Sequence, residues 1–188
     1  MTRVVLVLVI AGVAGLLLLI AANRFDRPEL IGPGLILFAI GVVTAGGHAV
    51  MTRYLRERRS VAPGSHVFEG PAAVFSGLAI IVLGLSIGAA GVAFLVGAED
   101  ALLDLALSRP GVALVPAGLA SAAWGAGRVL GAREWRGSLV RLLANIPERI
   151  GGAMLFLLGA ALLGLGGFEL LAPDAFGRAL ESLLAQVR

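Results

Sequence analysis

The chain alternates between long stretches without charge and short, crowded polar segments. Uncharged or nearly uncharged runs cover residues 4–22, 30–52, 70–98, 111–127 and 150–168. Each is close to the ~20 residues that a helix rising about 1.5 Å per residue needs to cross a hydrocarbon core of about 30 Å. The pattern predicts an all-α, polytopic membrane helix bundle of five transmembrane helices. The first run follows Arg3, as the apolar part of a secretory leader would. It is long for a leader and has a poor cleavage signal, so it reads as a retained span.

Two polar-flanked segments carry a helical period of their own. Asp174 precedes Phe176, Leu180, Leu183, Leu184 and Val187 on one face, and Ser138 precedes Leu139, Leu142, Leu143 and Ile146. Both predict short amphipathic helices, lying on the membrane surface or packed on the protein's own spans.

The apolar pattern also repeats. With a shift of 77 residues, Pro33, Gly34, Leu37, Gly41, Ala45, Ala49, Arg56 and Glu57 fall on Pro110, Gly111, Leu114, Gly118, Ala122, Ala126, Arg133 and Glu134. In this register His48 falls on Gly125. A shift of 75 continues the match, placing Gly77, Gly84 and Gly91 on Gly152, Gly159 and Gly166. Self-similarity at a fixed period predicts a duplicated helical hairpin. The organisation expected is one membrane domain: a first span and loop (1–29), hairpin repeats at 30–98 and 110–172, and an amphipathic tail (173–188). The two copies run parallel, related by an axis along the membrane normal.

Within the repeats the glycines step by seven: Gly34–Gly41, Gly70–Gly77–Gly84–Gly91, Gly111–Gly118–Gly125 and Gly152–Gly159–Gly166. Seven residues are nearly two helical turns, so each set lines one face. Lipid offers no hydrophobic drive for helices to associate, and small residues let backbones approach closely instead. Gly88 adds a G-x-x-x-G with Gly84. These glycines are the expected packing positions.

Composition sharpens the class. Hydrophobic residues make up 59% of the chain and charged residues 14%, against about a quarter in soluble domains. There is no cysteine, which excludes disulfides and thiolate chemistry. A net charge of +3 would raise nucleic acid as a partner for a soluble protein; here the charge is distributed as a topology signal. Ten of the fifteen arginines fall with the N-terminus, the 53–59 loop and the 128–149 region, and the opposite side holds eight of the twelve acids. The expectation is a cytoplasmic N-terminus and an external C-terminus in a bacterial inner membrane. Arg53, Arg56, Arg58, Arg59, Arg133, Arg136, Arg141 and Arg149 are then candidates for contact with lipid phosphates or a partner's acidic loop.

Candidate chemistry is sparse. His48 continues the Gly34–Gly41 series, beside Gly46 and Gly47, a setting that would suit axial ligation of a haem or chlorophyll-type macrocycle. The plainer reading is a histidine satisfied locally near a helix end. Thr44, Ser76, Ser86 and Ser121 read as intrahelical hydrogen-bonders, Arg128 as snorkelling, and Glu169 as an interfacial carboxylate. Trp135 reads as an interfacial anchor and Trp124 as filling a gap between helices. No nucleophile elbow, zinc motif or phosphate loop is present in the sequence. The function expected is a non-catalytic accessory subunit, in contact with lipid and with other membrane subunits and holding no cofactor. Alternatives are a small transporter or channel acting as an oligomer, and a haem- or pigment-associated protein through His48.

Overall fold

The structure, a computed structural model, describes residues 3–58, 65–131 and 139–187. Arg59, Arg133, Glu134, Trp135 and Arg136 lie outside the described residues. In chain order the elements are α1 (Arg3–Arg24), a 3-10 turn (Pro28–Leu30), α2 (Ile31–Thr52), β1 (Tyr54–Arg58), β2 (Ser65–Glu69), α3 (Pro71–Leu95), α4 (Glu99–Ser108), α5 (Gly111–Leu130), α6 (Leu139–Leu171) and α7 (Pro173–Val187). The helices covering Pro28–Thr52, Pro71–Leu95, Gly111–Leu130 and Ile146–Leu171 are long and apolar enough to cross a membrane.

The long helices form a row. α1 packs on α2, α2 on α3, α3 on α5 and α5 on α6, and no comparable packing between α1 and α6 closes the row among the described residues. Most large side chains consequently point outward. Leu6, Ile10, Leu17, Leu85, Met154 and Leu157 are all more than half exposed, which is tolerable in hydrocarbon and not in water. Most buried positions are small, Ala39, Ala49, Ala72, Ala73 and Ala79 among them.

Three local features depart from the pattern-based expectations. The basic segment after α2, expected as a loop, forms an antiparallel hairpin in which Leu55 pairs with Phe68 and Glu57 with His66. Arg53 (φ 52°) breaks α2 in the left-handed region, and Gly70 (φ 62°) turns β2 into α3. The Gly70 amide donates to the Arg53 carbonyl at 2.9 Å, tying the two ends together. Phe68, 6% exposed, anchors the hairpin by packing with Ala72, Ala73 and Leu55, and its ring lies against Gly131. Phe68 favours a strand and packs across it on Leu55, which overrides the charge that suggests a loop.

The second departure is α4. The Glu99-Asp100 pair sits in its first turn, where carboxylates complement the helix dipole, and Leu102 and Ala106 form an apolar ridge one turn apart. The third is α6, a single helix of 33 residues that runs through Pro147. It joins the Ser138-led amphipathic segment directly to the span, where a separate surface helix would need a break. At about 1.5 Å per residue it is about 50 Å long, well beyond a core of about 30 Å. α7 forms after Pro173, and its Phe176 meets Phe168 of α6 edge-on, with ring centroids 6.0 Å apart.

Candidate functional site

The glycine series place the helices. On α5 and α6 every member faces the other helix. A methyl group added at Gly118 would stand 2.6 Å from the Leu163 amide nitrogen and 2.8 Å from the Gly159 carbonyl oxygen, and one at Gly125 would stand 2.6 Å from the Gly152 oxygen. Gly111 likewise opposes Gly166. The obstructing atoms are backbone, so the helices touch main chain to main chain. Such approach permits weak Cα–H···O contacts worth about 0.5–1 kcal/mol each.

The α2–α3 seam uses the same device with a different set on α2. Gly77, Gly84 and Gly91 face α2 and Gly88 meets Ala39, but the α2 positions opposite them are Gly32, Ala39 and Gly46. Gly34 turns to α1, where a methyl on Gly15 would lie 2.7 Å from the Gly34 oxygen. Gly41 is buried. By their contacts across each seam, Gly32 stands level with Gly111, Ala39 with Gly118 and Gly46 with Gly125, 79 residues apart (111 − 32). Neighbours agree: Ile36 lies on Gly91 as Val115 lies on Gly166, and Val43 on Gly84 as Ala122 on Gly159. In the second helix of each hairpin the offset remains 75, with Gly77 level with Gly152.

This register moves His48 onto Gly127. His48 is half-buried in the last turns of α2, and its carbonyl accepts from the Thr52 hydroxyl at 2.7 Å. Gly127 packs against the Ser76 hydroxyl and Ala72 of α3. Ser76 is 1% exposed, and its Oγ has no hydrogen-bond partner among the described residues. Thr44 and Ser86 behave as expected, donating to Ile40 (2.7 Å) and Val82 (3.0 Å) four residues back.

Two ionisable residues sit differently from their sequence reading. Glu169 is 5% exposed, and its Oε2 accepts from the Gly111 amide at 3.1 Å. The next three amides of α5 already bond back to the Arg109 and Pro110 carbonyls, so Glu169 serves the one that remains. It is a helix cap reaching across the α5–α6 seam, and Gly111 is small because the carboxylate occupies the space of a side chain. Arg128 lies with its guanidinium 5.9 Å from the centre of the Trp124 ring, so Trp124 fills its gap as a cation–π platform. Of the arginine candidates, Arg53 ends α2, Arg56 and Arg58 stand on β1, Arg141 lies in the first turn of α6, and Arg149 is half-buried just before the α6 glycine series. No group of three or more His, Asp or Glu side chains gathers to hold a metal among the described residues.

Between α3 and α5 lies a recess that was hard to read from residue order. α3 and α5 meet tightly at Ser76 and Gly127 but diverge toward α4, leaving an open-sided space of about 420 Å³. Leu83 and Ser86 of α3, Leu102 of α4, and Pro116, Ala117 and Ala120 of α5 line it. Pro116 supplies no N–H to the carbonyl four residues back, though α5 runs through it unbroken. The alanine run around Pro116 was the available signal: small residues without the seven-residue glycine spacing. Compared with known proteins, the chain matches no family model, no curated protein and no solved structure.

Proposed function

We propose that this protein is a non-catalytic integral membrane subunit of five spans, α1 included, whose two hairpins, α2–α3 and α5–α6, are duplicated copies. It packs against partner subunits through the open edge of its helix row. The observation that supports this reading is the second set of glycines on α6. Gly152, Gly159 and Gly166 are consumed by the seam with α5, whereas a methyl at Gly151, Gly164 or Gly167 would meet nothing within 4 Å. Glycine in a helix interior costs about 0.5–1 kcal/mol relative to alanine, so glycines facing open space make sense where another backbone approaches. What supports the duplication is the matched contact register, Gly32, Ala39 and Gly46 standing level with Gly111, Gly118 and Gly125. The arginine asymmetry supports a cytoplasmic N-terminus in a bacterial inner membrane, with the hairpin and the 128–149 region against anionic headgroups.

The test is to isolate the tagged chain from its own membranes in mild detergent and weigh the particle. Companions at fixed stoichiometry, lost when Gly164 and Gly167 are changed to leucine, are the expected result. A lone monomer with unchanged behaviour in that variant refutes the reading and turns attention to solute transport by a homo-oligomer.

A further inference from the structure

We propose that α6 carries a self-pairing seam on the face turned away from α5, and that the protein covering it is the α6 helix of a second copy of this chain. The inference rests on the reading that protein covers the α6 edge, and deepens it by naming that protein.

The seam shows in the residue that follows each packing glycine. α3 and α6 place their glycines alike, Gly77, Gly84 and Gly91 against α2 and Gly152, Gly159 and Gly166 against α5. One residue on, each helix has turned by about 100°. On α3 those positions hold Leu78, Leu85 and Val92, which are 41%, 61% and 52% exposed and suit hydrocarbon tails. On α6 they hold Ala153, Ala160 and Gly167. Both alanines are exposed, and a methyl at Gly167 would meet nothing within 4 Å. The other edge of the row gives the same contrast, because α1 turns outward Leu6, Ile10, Leu17 and Ile20, each more than half exposed. Two lipid-facing surfaces are therefore built from large side chains, and the third is built from small ones. Small residues serve where another backbone approaches.

Spacing identifies the approaching element as a helix. Ile146, Ile150, Ala153, Leu157, Ala160 and Gly164 follow one another in alternating steps of four and three, and Gly167 continues the series. This is the seven-residue repeat of a left-handed helix pair. Ile150 and Leu157 would interlock while Ala153, Ala160 and Gly167 set the distance of approach. None of these positions is charged. A two-fold axis along the membrane normal sets each level against itself, so alanine meets alanine and no like charges oppose.

Length selects a second copy over a single span of another protein. α6 has 33 residues, about 50 Å, and the same spacing continues in sequence back through Leu143 and Leu139. A contact strip about 10 Å wide along that length removes about 500 Å² from each copy, about 1,000 Å² together, the size expected of a specific interface. A partner helix confined to a core of about 30 Å would bury only about 600 Å² in all. A second copy brings a helix of the same length, direction and phase.

The chain contains no cysteine, so single substitutions report contacts without background. Ala153→Cys, Leu157→Cys and Ala160→Cys lie on the seam, whereas Leu158→Cys and Leu165→Cys are exposed beside it. Each full-length variant is oxidised in its own membranes, and the tagged particle is weighed in mild detergent. Disulfide-linked dimers should form at the three seam positions about tenfold more than at the other two. Ala160→Leu combined with Gly167→Val restores on α6 the residues found at the matched places of α3. It should lower the Ala153→Cys dimer about tenfold and leave a helical monomer, since both positions are open in the single chain. Equal linking on and off the seam, or linking unmoved by that restoration, overturns the proposal. Absent dimers with a companion of different sequence at fixed stoichiometry overturn the second copy and keep the subunit reading. Absent dimers with a lone monomer overturn both.

Discussion

Changing Gly118 to alanine adds one methyl group at the centre of the α5–α6 seam, 2.6 Å from a backbone nitrogen and 2.8 Å from a backbone oxygen. Neither atom can rotate away, so the two helices must separate or shear. Overpacking of this kind costs typically 1–3 kcal/mol, and separation also weakens the Cα–H···O contacts at neighbouring levels. Against this stands the helix-propensity gain of alanine over glycine, about 1 kcal/mol at most. The net expectation for Gly118→Ala is a loss of about 1–2 kcal/mol. Gly164→Ala, on the opposite side of α6 with nothing within 4 Å, should be neutral or stabilising by up to about 1 kcal/mol. The two variants add the same atoms to the same pair of helices, so their difference, about 2 kcal/mol or roughly thirtyfold in the folding constant, isolates the seam. The measurement is titration of the micelle-solubilised protein with dodecyl sulfate in a Trp135→Phe background, followed by the fluorescence of Trp124 at the far end of the same seam. Equal midpoints for Gly118→Ala and wild type, or an earlier midpoint for Gly164→Ala, would refute the reasoning.

Three further perturbations probe other parts of the structure. Glu169→Leu leaves the Gly111 amide without an acceptor and should cost about 1–3 kcal/mol, whereas Glu169→Gln keeps an acceptor and should cost distinctly less; the same titration distinguishes them. Phe68→Ala removes the hairpin's anchor, at about 3–5 kcal/mol for a buried aromatic, and should free the hairpin without unfolding the helices. Hydrogen exchange should then show the β2 amides losing protection while α3 keeps its own, and undiminished β2 protection would contradict the anchor. Gly127→Ala drives a methyl into the Ser76 hydroxyl, so Ser76→Gly should recover part of its loss, with a coupling of about 0.5–3 kcal/mol in a double-mutant cycle; strict additivity would mean that α3 and α5 do not meet there.

What the sequence made legible followed from periodicity and composition acting over many residues. The long apolar helices lie where the uncharged runs predict them, and the α3, α5 and α6 glycine series all face seams. The failures are local. A glycine series says that a helix has a close neighbour but not which one, and α2 has two: Gly34 faces α1, while Gly32 and Gly46 face α3. Glu169 reads from sequence only as an interfacial carboxylate because its acceptor role depends on the start of α5, 58 residues earlier in the chain. The hairpin at Tyr54–Glu69 was masked by its arginines, although Leu55 and Phe68 sit at paired positions. The alanine run around Pro116 was a faint sign of the recess, which arises from the divergence of two helices that pack closely at their other ends.

The helix row has a consequence for how such a chain is made. Each long helix packs on the one that leaves the ribosome just before it, with only the short α4 intervening between α3 and α5. No helix has to wait for a distant partner, and none has to be threaded between two already in place. Assembly can therefore proceed from the N-terminus in step with synthesis, as contacts between neighbours in sequence favour. As in solenoids, stability is then close to a sum over adjacent seams, so damage to one seam stays there. A chain stopped after α3 would already hold two finished seams, whereas one stopped after α5 would expose the glycine face meant for α6 and become a natural substrate for membrane proteases.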